Sequence, residues 1–152
     1  MNTQLSFDPG AGCIKAMFGD AALVMPSAVA VNGRHRLHNV AGLKSRKRPL
    51  TVITADGEFV VGAGAHDFGR PVENLDFDRL TGSSEMRALL YGALTRLLPA
   101  DQRHPIDFIA GLPIAVLTGD DSAATVKSVK TFLGGAHTWQ TGGQSRSATI
   151  EN

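Results

Sequence analysis

The apolar residues change their spacing near residue 84, and that change limits the possible folds more than any other feature. Met86, Leu89, Leu90, Ala93, Leu94, Leu97 and Leu98 recur at spacings of three and four. This is one apolar face of an amphipathic helix, predicted over about 84–98. Ser83 or Ser84 is a suitable N-cap, and Pro99 follows the end. Upstream, the period is two. Leu5 and Phe7 alternate with polar neighbours and stop at Asp8-Pro9-Gly10. Ile14 to Phe18, and Ala22 to Met25 before Pro26, read as two more strands. Ala28 to Val31 ends at Asn32-Gly33, a hairpin signal, and Thr51–Thr54 and Glu58–Val61 flank Ala55-Asp56-Gly57. The first 62 residues therefore read as mainly antiparallel β.

Downstream, Ile106 to Ala110 reads as a strand ending at Gly111-Leu112-Pro113. Asp120, Asp121 or Ser122 is placed to cap a second helix over about 121–133, with Ala123, Val126, Val129 and Phe132 or Leu133 as its apolar face. Gly134-Gly135 closes it, and Gly142-Gly143 sits at the tip of a final hairpin. The expected class is α/β of the α+β type: one mixed sheet with helices packed on it.

The 152 residues are 43% hydrophobic and 19% charged, enough apolar surface for a core. With 15 Lys+Arg against 14 Asp+Glu the net charge is +1, so no global field points to nucleic acid or a membrane. No apolar run approaches the ~20 residues of a membrane span. Met1-Asn2-Thr3-Gln4 lacks the basic start of a signal peptide. The single cysteine, Cys13, excludes an intrachain disulfide and fits a reducing cytoplasm. Glycine is in surplus: 17 residues in 152, about 11% against a usual ~7%.

Two of those glycines stand in the sharpest motif, Asp8-Pro9-Gly10-Ala11-Gly12-Cys13-Ile14-Lys15, a D-x-G-x-G-x-x-K turn between two strands. Successive N–H groups in such a turn make an anion-binding concavity, and Lys15 adds a charge for terminal phosphates. Asp8 would repel a phosphate directly, but could hold Mg²⁺ through water. A strand follows the turn, so it is neither a Walker A loop nor a Rossmann fingerprint. The plain alternative is a hairpin turn whose glycines only supply backbone freedom.

This turn resembles the first phosphate motif of the actin-like ATPase superfamily. Other segments follow in the order expected there. Met25-Pro26-Ser27-Ala28-Val29-Ala30 looks like the start of a later strand in prokaryotic and archaeal actin-like proteins. Glu58 to Ala65 resembles their strand-to-helix step, and Phe108 to Ile114 their strand end. The tail, Gly143-Gln144-Ser145 to Ile150-Glu151-Asn152, resembles the hairpin before the next core strand. The resemblance is to the N-terminal lobe of ParM-type plasmid-segregation and archaeal actin-like proteins, a ribonuclease H-like lobe with a small inserted subdomain.

The resemblance implies Mg-ATP binding, hydrolysis and nucleotide-dependent filament assembly for a complete protein, with a DNA-bound adaptor as a partner. In that frame Asp8 helps hold Mg²⁺ through water. Gly10, Ala11, Gly12 and Cys13 offer backbone donors, and Lys15 pairs with phosphate oxygens. Cys13 and Ile14 stand where such families often have hydroxyl or amide side chains. Residues about 34–80 become the inserted subdomain that makes polymer contacts. A C-terminal lobe, with a second phosphate motif and the group that orients the attacking water, is absent from 1–152. The expectation is an incomplete clamp with weak or no ATPase activity alone.

Charge is segregated inside the 34–80 interval. No acidic residue lies between Asp20 and Asp56, while Arg34, Arg36, Lys44, Arg46, Lys47 and Arg48 crowd the gap. The acids Asp56, Glu58, Asp67, Glu73, Asp76, Asp78 and Glu85 follow. Two other functions stay open: a non-catalytic actin-like binding or capping module, and a small nucleic-acid-associated protein using 34–48. No aromatic residue interleaves that basic stretch, which argues against base stacking. His35, His38, His66, His104 and His137 have no metal-ligand spacing with Cys13 and are expected at the surface or core edge. Cys13 is expected to be an inert buried thiol.

Overall fold

The structure is a computed structural model and describes residues 4–31, 49–71 and 82–151. Ten strands among them form one mixed sheet in the order β3-β2-β1-β8-β10-β9-β5-β6-β4-β7. The first three strands, β1 (Gln4–Pro9), β2 (Cys13–Phe18) and β3 (Ala21–Pro26), are an antiparallel meander. The strand β8 (Ile106–Ala110) then lies parallel to β1, and β10 (Gln144–Glu151) parallel to β8. A hairpin joins β10 to β9 (Gly135–Thr141). Beyond it lie β5 (Leu50–Thr54), β6 (Gly57–Val61), β4 (Val29–Val31) and the two-residue β7 (Arg70–Pro71). A short 3-10 turn, Ala65–Asp67, precedes β7.

The helix α1 (Ser84–Leu97) is the apolar stripe seen in the sequence. Ser83 caps it: its Oγ accepts from the N–H of Met86 at 3.1 Å. Leu98 leaves the helix in an extended conformation (ψ 145) because Pro99 disfavours the helical region in the residue before it. Arg146 on β10 donates to the freed carbonyls of Leu98 and Pro99 at 2.8 and 3.0 Å, pinning the terminal hairpin to the helix end. Leu89, Leu90 and Leu94 are fully buried against Leu5, Phe7, Ile14, Val52 and Ile106 of the sheet.

The second long helix, α3 (Ser122–Leu133), buries Val129, Phe132 and Leu133, and its Phe132 ring lies 5.0 Å from the Arg87 guanidinium of α1. On the opposite sheet face, α1 and α3 cover none of the described residues Met17, Val24 and Ile109. Met17, Val24 and Ile109 are about half exposed or more there (52%, 69% and 52%).

The sequence expectations hold in kind and change in arrangement. Both long helices and the mixed sheet are found. The antiparallel strands of the first 62 residues are split between the two ends of the sheet, with β8, β10 and β9 between them. The strand β4 pairs with β6 and β7 rather than with the next strand. The Asn32-Gly33 hairpin lies outside the described residues. One helix was missed: α2 (Ile114–Thr118), five residues long, starts after Pro113. No buried residue marks it, so no apolar periodicity announced it. Asp121 precedes α3 but makes no side-chain cap.

His137 is a correction. Expected at the surface or core edge, it is 4% exposed. Its Nε2 bonds the carbonyl of Leu133 at 2.8 Å, and its Nδ1 lies 3.2 Å from the Tyr91 hydroxyl. Tyr91 stacks on Trp139, whose N–H donates to Thr95 at 2.8 Å. A neutral imidazole satisfies both contacts, one as donor and one as acceptor. Burial, and more weakly the nearby Arg87 charge, lowers its pKa, although the Leu133 carbonyl opposes this. The folded state therefore resists the proton that the unfolded chain takes up near pH 6.5. Stability is full above that pH and is expected to fall as the pH drops below it, by up to about 1.4 kcal/mol per pH unit. Urea titrations of wild type and His137→Gln between pH 8 and 5 check this. The wild type should lose more stability than the variant, and equal losses would contradict it.

Candidate functional site

The turn between β1 and β2 is built by register. Asp8 stands directly opposite Lys15, and Pro9 opposite Ile14, in the antiparallel ladder. Asp8 and Lys15 therefore share one sheet face, both exposed, while Phe7 and Ile14 are buried on the other. The same face carries Lys15 beside Val24 of β3. Gly10, Ala11 and Gly12 form the loop, and Gly10 N–H donates to the Asp8 carbonyl at 3.1 Å. Among the described residues, no backbone bond outside the ladders takes the N–H of Ala11, Gly12 or Cys13. The loop N–H groups of Ala11 and Gly12 thus lie near a lysine with no backbone acceptor among the described residues.

Two other segments complete the site. Gly111, at the end of β8, donates to the Phe7 carbonyl at 2.8 Å. A Cβ there would come within 3.2 Å of the Asp8 carboxylate, so this glycine leaves Asp8 its room. Ser27, between β3 and β4, donates its hydroxyl to the Gly10 carbonyl at 2.6 Å and its N–H to the Gly12 carbonyl at 3.1 Å. The structure thus gathers Asp8, Gly10, Ala11, Gly12, Cys13 and Lys15 with Ser27 and Gly111. Ser27 and Gly111 stood inside quoted motifs, but their part in the site was not legible, because both reach it from distant strands.

The two turn glycines differ. A Cβ on Gly10 would lie 2.8 Å from the backbone carbonyl of Cys13, whereas a Cβ on Gly12 meets nothing within 4 Å. Gly10→Ala is therefore expected to distort the turn and destabilise the fold by about 1–3 kcal/mol. Gly12→Ala should leave stability within about 0.5 kcal/mol. Thermal melts of the two variants test the contrast, and equal effects would contradict it.

The remaining candidates fall elsewhere. Arg34, Arg36, Lys44, Arg46, Lys47 and Arg48 lie outside the described residues. Cys13 is a free, half-buried thiol at the start of β2 rather than a buried one. His66 and His104 are exposed. Among the described residues, no three His, Cys, Asp or Glu side chains converge to hold a metal directly. An exposed carboxylate opposite a lysine, at a glycine-containing turn, fits a hydrated cation carried on a polyphosphate. Among the described residues, no helix is long and apolar enough to cross a membrane.

A search of curated proteins returned no match. Solved structures share the fold. An apo psk41 ParM protein is 14% identical with a TM-score of 0.69, over 96% of this chain and 46% of that chain. An archaeal actin homolog, Ta0583, is 20% identical with a TM-score of 0.67, over 96% of this chain and 43% of that one. AlfA in a filament bound to AMPPNP is 15% identical with a TM-score of 0.61, over 100% of this chain and 53% of that one. The chain spans about half the length of these structures or less. The family described as actin like proteins N terminal domain matches residues 6–152, and this chain belongs to it.

Proposed function

We propose that the chain is the N-terminal, phosphate-facing lobe of a nucleotide-binding, filament-forming actin-like protein of the plasmid-segregation or cytoskeletal kind. The observation that carries this is the placement of Asp8 and Lys15 on one face across the ladder, flanking a loop whose Ala11 and Gly12 N–H groups have no backbone acceptor among the described residues. The AlfA structure with AMPPNP lends the nucleotide reading support.

In this reading, the N–H groups of Ala11, Gly12 and Cys13 donate to phosphate oxygens, and Lys15 neutralises terminal charge. Asp8 orients water around the cation, and Gly111 keeps that carboxylate unobstructed. Bound Mg²⁺ would neutralise phosphate charge. Phosphoryl transfer needs groups on all sides of the γ-phosphate. Residues 1–152 supply one side, so the chain alone binds weakly and turns over little or nothing. Residues about 34–80 form the small inserted subdomain that contacts neighbouring subunits.

Calorimetric titration of the 152-residue chain with Mg-ATP, alongside phosphate release, tests the proposal. Saturable binding without steady turnover is expected. No binding at millimolar nucleotide would overturn the nucleotide reading. Tight binding with steady turnover would overturn the one-sided site.

A further inference from the structure

Ser27 touches the phosphate turn from 17 residues away and at both of its ends. Its hydroxyl donates to the Gly10 carbonyl and its N–H to the Gly12 carbonyl. In a trans peptide the C=O and the following N–H point in opposite directions. Drawing the Gly10 carbonyl toward Ser27 therefore turns the Ala11 N–H away from Ser27. Drawing in the Gly12 carbonyl does the same to the Cys13 N–H. Neither N–H takes part in a backbone bond outside the ladders among the described residues. The 2.6 Å hydroxyl bond also spans a gap that the backbone cannot. Gly10 lies beyond the registered ladder, which ends at Pro9 and Ile14 on one side and at Cys13 and Pro26 on the other.

We infer that Ser27 is a positioning residue that sets the direction of the Ala11 and Cys13 donors, so that the turn meets a polyphosphate in a ready-made conformation. This rests on the nucleotide reading of the turn. Without the hydroxyl, the Gly10–Ala11 peptide is free to rotate, and each binding event must first order it. The N–H bond of Ser27 to Gly12 survives any side-chain change, so the fold should largely hold.

The test compares wild type, Ser27→Ala, Ser27→Thr and Lys15→Ala in the 152-residue chain. Titrations use Mg-ATP and magnesium tripolyphosphate, and NMR order parameters are measured for the Ala11 and Cys13 amides. Ser27→Ala should weaken both ligands about tenfold, the worth of one hydrogen bond. It should lower the NMR order parameter of the Ala11 amide and leave that of Cys13 unchanged, because the Ser27 N–H still holds the Gly12 carbonyl; the melting temperature should barely move, and Ser27→Thr should restore affinity. If alanine loosens the fold, Ser27→Cys keeps the volume with only a weak donor and should show the same loss. Wild-type affinity and a wild-type Ala11 order parameter in Ser27→Ala, with Lys15→Ala impaired, would overturn the role of Ser27 alone. Failure of wild type to bind either ligand would overturn the nucleotide reading and this inference with it.

Discussion

Leu94→Ala is expected to remove about 2–5 kcal/mol of stability, the usual cost of deleting a buried leucine and leaving a cavity. Leu94 is 0% exposed and sits on the face of α1 that meets the sheet. Its neighbours are clamped from both directions. Arg146 ties the helix end to β10, and Tyr91, Thr95 and Trp139 tie its middle to β9. A cavity there has little room to collapse, which favours the upper part of the range. For a chain of this size the melting temperature should fall by about 4–20 °C. Against a total stability of about 5–15 kcal/mol, this one change removes a large share. Leu117→Ala is the control, since Leu117 is 50% exposed on α2 and should change stability by less than about 0.5 kcal/mol. A loss below about 1 kcal/mol in Leu94→Ala would mean that α1 does not anchor the core.

Lys15→Ala should weaken Mg-ATP binding about 10–100-fold, the range for a hydrogen bond to a charged partner. Lys15 is exposed, so the substitution should leave the fold intact and the loss can be read as binding. Raising the salt concentration should shrink the difference between the two proteins, because an exposed charge is screened. Asp8→Asn provides a sign test on the same face. Asp8 repels a bare polyphosphate but favours one carrying a cation. The variant should therefore bind metal-free ATP more tightly than wild type and Mg-ATP less tightly. Calorimetry with and without magnesium reads both signs. An unchanged Lys15→Ala, or the same sign in both Asp8→Asn titrations, would overturn the roles given to these residues.

Much of this fold was legible as local pattern. The stripe from Met86 to Leu98 marked α1, because helical spacing is a property of adjacent turns and needs no partner. The β5–β6 hairpin and its Ala55-Asp56-Gly57 turn were legible for the same reason. Helix α2 was not, since its apolar Ile114 and Leu117 are exposed and follow no buried face. His137 was misjudged because its burial depends on Tyr91 and Leu133, which approach it only once α1, α3 and β9 have packed.

The candidate site divides along the same line. Asp8, Gly10, Gly12 and Lys15 were visible because a hairpin turn keeps its residues close in sequence. What sequence alone determined is therefore the inventory: two helices, a β-rich start and a D-x-G-x-G-x-x-K turn, all set by spacing between near neighbours. The tertiary structure decided the rest. It put β8 beside β1, so that Gly111 reaches Asp8, and brought Ser27 back onto Gly10 and Gly12. It also distinguished the two turn glycines, one hemmed in by the Cys13 carbonyl and one open. Such contacts depend on which strands pair across long stretches of chain. That choice follows from burying the whole apolar face under α1 and α3, not from any short run of residues.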